Sequence, residues 1–359
     1  MKIEKGIISN EQLLFLVIGL LQASTLTASF ISGITKQNTW IVLLAGFIII
    51  LPVLLVYTSL NKKFPHKNLI EINNAIYGEK FGKVISLLYI FFFWFIICTN
   101  VRFIVDFFST YLFPKTDISV FTIIIIITCN YTVKKGLEVI ARTGFILSVL
   151  TILAFVLITI FTIKDINLSN FLPIFQINLK EFIMATNIIV AIPLGEIIVF
   201  LMIFPYVNDV KNVKKSVFLG LIIGSLFFFS VIVRNISVIG NIGYMDVQPE
   251  YQVAKLVNIG EIITRVEVLV AIILLFNVFL KICIFYYATV LSIAQCLKLR
   301  SYKPLTIPVG IISIILSISM FNSPVDESYL ASIYSVFVIP FIMLFPVISL
   351  IIASIRKFT

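Results

Sequence analysis

Five charged side chains fall well inside stretches otherwise fit for hydrocarbon, away from their ends: Arg102, Asp106, Glu196, Arg234 and Lys281. A charge at mid-membrane costs about 3 kcal/mol or more unless it finds a partner or water, so each one marks a site by default. Glu196 is the most informative. It follows Pro193-Leu194-Gly195, which interrupts the run Ile188-Ile189-Val190-Ala191-Ile192. Proline removes a backbone donor and clashes with the preceding turn, and glycine loosens the helix further. A broken helix beside a mid-depth carboxylate is how many transporters build a ligand site. The plainer reading is a proline kink with a buried, paired glutamate.

The other charges pair by spacing. Arg102 and Asp106 are four residues apart on one helical face, suited to an ion pair that either clamps its helix or serves an outer gate. Asn277 and Lys281 have the same spacing. Desolvation disfavours an ammonium there, so Lys281 suits a proton acceptor or a fixed cation in place of a bound sodium ion. Its alternative is to snorkel toward the cytoplasmic side. For Arg234, beside Asn235, snorkelling to the interface is the simplest account; pairing with Asp106 or Glu196 is the other option.

These residues need a membrane bundle to position them. The chain has 359 residues, 60% hydrophobic and 12% charged, with a mean hydropathy of +1.13. A soluble domain could not cover that much apolar surface, and the alternating pattern of an outer-membrane barrel is missing. Ten apolar runs are predicted to span, near 12–34, 38–59, 83–110, 118–133, 144–163, 183–206, 216–240, 264–294, 305–321 and 331–354; they are numbered 1 to 10 below. The lysines before the first run resemble a signal-peptide start, but no clear small-residue cleavage site follows, so the run reads as a retained helix.

With the N-terminus in the cytoplasm, most of the 27 Lys and Arg residues fall on that side. The opposite loops carry only Lys36, Lys115, Lys164, Lys180, Lys255 and Arg265. This asymmetry sets orientation and places both termini inside. The net charge of +10 is therefore a topology and lipid-headgroup signal, and no nucleic-acid module is expected. Cys98, Cys129, Cys283 and Cys296 lie in spans or near the cytoplasmic face, so no disulfide is expected. With His66 as the single histidine, a metal site and a Ser-His-Asp hydrolase lack raw material. No cofactor is implied, and the intramembrane polar groups form no nucleophile–base set, which argues against an enzyme.

A single transmembrane domain over 1–359 is expected, divided into repeats at about 12–163 and 183–354. Five spans in each half force the halves into opposite orientations, an inverted repeat whose breaks fall in corresponding spans. Span 6 has its break. Span 1 offers Gln22-Ala23-Ser24-Thr25, then Thr27 and Ser29, hydroxyls that ease local unwinding. Two such breaks would offer backbone donors to a carboxylate and carbonyls to an ammonium, which suits a small amino acid. In the loop after span 7, Glu250 to Val257 is apolar at 253, 256 and 257. That spacing suits a short amphipathic helix over the outer mouth or an ordinary structured loop.

Several segments in order resemble the spore germinant-receptor B subunit family, endospore germination permeases of the amino acid–polyamine–organocation superfamily. They are Arg102-Phe103-Ile104-Val105-Asp106 with Phe113-Pro114-Lys115-Thr116, Asn170-Phe171-Leu172-Pro173-Ile174-Phe175, the run from Pro193-Leu194-Gly195-Glu196 to Pro205, and Arg265-Val266-Glu267. The resemblance implies a ten-helix fold of the LeuT type with helices 1 and 6 broken. It implies a nutrient sensor in the spore inner membrane working with an A subunit and a lipoprotein C subunit. It also implies a pocket at Gln22, Ala23, Ser24, Thr25, Pro193, Leu194, Gly195, Glu196, Asn277 and Lys281. The family often has glycines in span 1 where this chain has Ala23-Ser24-Thr25. A proton-coupled amino-acid transporter and a water or ion channel lined by Arg102, Asp106 and Glu196 are the alternatives.

Overall fold

The computed structural model describes residues 3–240, 248–257, 266–321 and 324–358, and among them the chain is helical throughout. Among the described residues, eight helices are long and apolar enough to cross a membrane, and Asn10–Ala23 and Lys303–Ser319 are shorter apolar helices. Together they occupy the ten expected spans. Span 3 differs most from expectation. Its helix runs Leu69–Tyr111 and includes a leading segment set off by a kink at Gly78, where φ is +80°. Span 8, at Val266–Cys296, is about 46 Å long at 1.5 Å per residue, so it projects beyond the hydrocarbon.

Spans 1 and 6 depart from α-geometry where the sequence suggested. Span 1 runs Asn10–Ala23, tightens to a 3₁₀ turn over Ser24–Leu26, and resumes as Thr27–Thr35. Ser24 Oγ donates to the Leu20 carbonyl at 3.0 Å and Thr25 Oγ1 to that of Gln22 at 2.9 Å. These hydroxyls compete for carbonyls that the helix would otherwise use. Span 6 is an α-helix over Leu179–Ile189, a π-turn over Val190–Leu194 and a 3₁₀ stretch over Gly195–Met202. Pro193 has no N–H to offer and its ring crowds the preceding turn. The helix widens by a residue, and the Gly195 N–H reaches back to the Val190 carbonyl. A Cβ on Gly195 would lie 2.5 Å from Ile342 Cδ1 and 2.6 Å from the Val190 oxygen, so only glycine fits without a shift.

Span 10 carries a third irregularity at its own prolines, a π-turn at Pro340–Leu344 between Pro324–Ile339 and Phe345–Ile355. Pro346 cannot donate to Ile342, and Tyr57 of span 2 donates to that carbonyl instead; Tyr89 of span 3 donates to the Phe341 carbonyl at 2.7 Å. Orphan carbonyls in a membrane must be satisfied internally, and here tyrosines from two neighbours do it.

Span 1 runs through the interior, packed on spans 5, 7 and 8. Gly220 and Gly224 of span 7 let it approach, since a Cβ there would lie 2.8 Å from Val17 Cβ and 2.5 Å from Leu21 Cδ1. At the lysine-rich end, residues before span 1 seal the bundle. Ile8 bridges to Val207 in parallel fashion, and Tyr302 Oη donates to Glu4 Oε2 at 2.9 Å. The segment after span 7 forms the helix Pro249–Leu256, packed on spans 7 and 8. Val253, Ala254 and Val257 are buried there and Leu256 is exposed.

Candidate functional site

The break in span 6 brings Glu196 against Lys281 of span 8. Lys281 Nζ stands 2.7 Å from Glu196 Oε2, and both side chains are about 2–3% exposed. Lys281 Nζ also donates to Ser24 Oγ at 3.1 Å, so one ammonium ties the irregular segments of spans 1 and 6 to span 8. In a low-dielectric interior each charge makes the other tolerable, and removing either would strand its partner.

The pair borders a cavity of about 80 Å³, room for about five to eight water-sized groups. Ala23, Thr27 and Phe30 of span 1 line it, with Thr99, Asn100 and Phe103 of span 3 opposite. Ile192 stands beside Glu196, and Phe321, Leu330 and Tyr334 complete the wall. Tyr334 is nine-tenths buried and stacked on Phe95, and its hydroxyl has no hydrogen-bond partner among the described residues. Apolar walls with a few convergent polar groups are the usual make-up of a small-molecule site.

The expected site residues divide into four groups. Ala23, Glu196 and Lys281 line this cavity and Ser24 supports it. Pro193, Leu194 and Gly195 act through the backbone, producing the distortion that presents Glu196. Gln22 faces span 5, donating from Nε2 to the Ser148 carbonyl at 3.2 Å. Thr25 and Asn277 line a second cavity on another side of span 1. Thr27 and Asn100 are visible in the sequence as polar breaks in apolar helices, but Tyr334 and the aromatic walls look there like any membrane aromatic.

The remaining charges lie elsewhere. Arg102 Nε donates to both Asp106 oxygens, at 2.9 and 2.8 Å, and Nη1 donates to the Ile318 carbonyl at 2.9 Å. That fastens span 3 to the end of span 9, outside the residues bordering the cavity. Arg234 is 6% exposed and so does not snorkel. Nor do its bonds go to Asp106 or Glu196: Nε and Nη2 donate to Asn235 Oδ1 at 3.2 and 2.9 Å, and the guanidinium lies 5.0 Å from the Phe155 ring centre. A neighbouring amide and an aromatic face hold the cation inside the bundle.

The sequence profile of the spore germination protein family matches residues 7–324. This chain belongs to that family. It is 26% identical to spore germination protein KB of Bacillus subtilis (strain 168), over 99% of this chain and 96% of that one. The backbone is similar to that of a Na⁺-coupled sialic acid symporter in a substrate-bound outward-open state, with a TM-score of 0.67 and 16% identity over 94% of this chain and 79% of that one. It is equally similar to Mhp1, a nucleobase-cation-symport-1 family transporter in a closed conformation, with a TM-score of 0.67 and 14% identity over 91% of this chain and 75% of that one. The fold is thus of the LeuT type, and the chain is a multi-pass membrane protein. Family and fold favour a permease or receptor over an enzyme.

Proposed function

We propose that this chain is the B subunit of a spore germinant receptor, binding a small nutrient, an amino acid, in the cavity beside Glu196 and Lys281. The observation that carries the reading is the buried ion pair at the junction of two irregular helices, bordering a small cavity with a tyrosine hydroxyl that no described residue bonds. An amino-acid carboxylate can accept hydrogen bonds from Lys281 and from Tyr334, and its ammonium can sit against Glu196. The size allowed matches a small or medium side chain.

Ligand shifts the equilibrium of the bundle only by binding one state better than another. Because Lys281 joins spans 1, 6 and 8, a ligand that takes over part of its bonding loosens or tightens all three together. The shift then passes to an A subunit and a lipoprotein C subunit in the spore inner membrane, with both termini cytoplasmic and the 359 residues acting as one transmembrane unit. Support for the receptor role comes from the match to spore germination protein KB over nearly the whole of both chains.

The competing reading is a proton-coupled amino-acid transporter, which the transporter fold and the Glu196–Lys281 pair also suit. Two measurements separate them. Deleting the gene in a spore former and screening single amino acids should abolish germination toward one of them. Uptake of that amino acid into proteoliposomes containing the chain alone should show no saturable accumulation. Accumulation without a germination defect would establish the transporter.

A further inference from the structure

The second cavity has features of its own. It holds about 50 Å³ among spans 1, 5, 7 and 8 and the helix Pro249–Leu256, room for about three to five water-sized groups. Its walls are apolar, with Phe155 and Phe227 prominent, and two opposite charges border it, Arg234 and Glu250. Both are more than nine-tenths buried. They do not satisfy each other. The hydrogen bonds of Arg234 go to Asn235 Oδ1. Arg234 and Asn235 lie close enough to the Glu250 carboxylate to act on its charge, yet among the described residues neither of its oxygens has a partner in hydrogen-bond geometry. A buried carboxylate without a partner and a guanidinium with donors to spare are each costly. Sharing one cavity, they are complementary to a molecule that carries both charges.

We propose that this cavity is a second ligand site, for a small zwitterion of the size of glycine or alanine. Its ammonium sits on Glu250 and its carboxylate on the free N–H groups of Arg234, with Phe155 holding the guanidinium plane in place. Thr25 of span 1 lines this cavity while Ala23, two residues away, lines the first. An occupant here therefore bears on the same irregular turn from another side. The proposal stands apart from the reading of the Glu196–Lys281 cavity and does not depend on it.

The test is equilibrium binding of radiolabelled glycine and L-alanine to the full chain in lipid nanodiscs. Glu250→Gln and Arg234→Gln should each weaken binding of at least one of the two by ten-fold or more, while Glu79→Gln, at an exposed position that borders neither cavity, leaves it. Acetate and methylammonium, each carrying one of the two charges, should compete at least ten-fold less well than unlabelled glycine, a comparison in the unaltered protein that does not depend on how the variants fold. Three results overturn the proposal: binding by Glu250→Gln equal to that of the unaltered chain, loss only in Lys281→Met, or no binding of either amino acid. Loss only in Lys281→Met would leave the first cavity as the amino-acid site, so the two readings fail separately.

Discussion

At the scale of single residues, Lys281 bears the most structural consequence. Its Nζ serves Glu196 and Ser24 at once, and breaking a buried pair from one side leaves an uncompensated charge. Lys281→Met should abolish the nutrient response of spores while the protein still reaches the membrane, as judged by immunoblot of spore membranes; an unaltered response would refute the role. Tyr334 offers a gentler probe, because its hydroxyl bonds to none of the described residues. Tyr334→Phe should leave thermal stability within about 0.5 kcal/mol. Losing one ligand hydrogen bond, worth about 1 kcal/mol net, should weaken nutrient binding roughly five-fold. A large fall in stability with unchanged affinity would mean that the hydroxyl serves packing.

The elements show how proline and glycine shape the site. Pro193 widens span 6 and Gly195 lets the widened turn press against Ile342 of span 10. Gly195→Ala should move Glu196 off Lys281 and lower both stability and ligand response. Tyr57→Phe removes the hydroxyl that serves the Ile342 carbonyl and should cost about 1–3 kcal/mol, the penalty of an orphaned buried acceptor, read from thermal unfolding in detergent. Between spans 7 and 8, burial lifts the Glu250 carboxyl from 4.5 to about 7, partly offset by the nearby Arg234. The folded protein thus keeps a proton that the unfolded chain releases above about 4.5. Its contribution to stability is full below that value and is lost as the pH rises toward 7. Unfolding temperature measured from pH 5 to 8 should fall more steeply for the unaltered chain than for Glu250→Gln.

Over the whole molecule, the two ends of the bundle differ. The lysine-rich end is sealed by the bridge of Ile8 to Val207 and by Tyr302 on Glu4, and residues 197–207 of span 6 are buried throughout. The first cavity instead extends from Glu196 and Lys281 to Phe30, Phe103 and Phe321, toward the end with few basic residues. If the basic loops are cytoplasmic, as proposed from the charge asymmetry, a nutrient would enter from the outer face. Asn100→Cys, half-buried beside the cavity, should react with a membrane-impermeant maleimide added from that face, and bound nutrient should slow the reaction. Labelling only from the basic side would reverse the assigned orientation.

The sequence alone determined the class, the spans and both expected breaks. Those depend on hydrocarbon transfer and on backbone chemistry, which are local: Pro193 and the hydroxyls of Ser24 and Thr25 distort a helix wherever it packs. It also singled out Glu196 and Lys281, because charge in an apolar run is conspicuous by itself. Only the tertiary structure decided that these two meet, that Arg102–Asp106 fastens spans 3 and 9 away from the cavity, and that Thr25 and Asn277 face a different space from Ala23. Helix rotation and partner choice depend on steric fit among several spans, such as Gly220 and Gly224 against Val17 and Leu21, and no single apolar run encodes them. In span 10, Pro340 and Pro346 mark an irregular turn locally as well, but not what satisfies it. Its freed carbonyls are answered by Tyr57 and Tyr89, residues more than 250 positions away in the chain that only packing brings within reach.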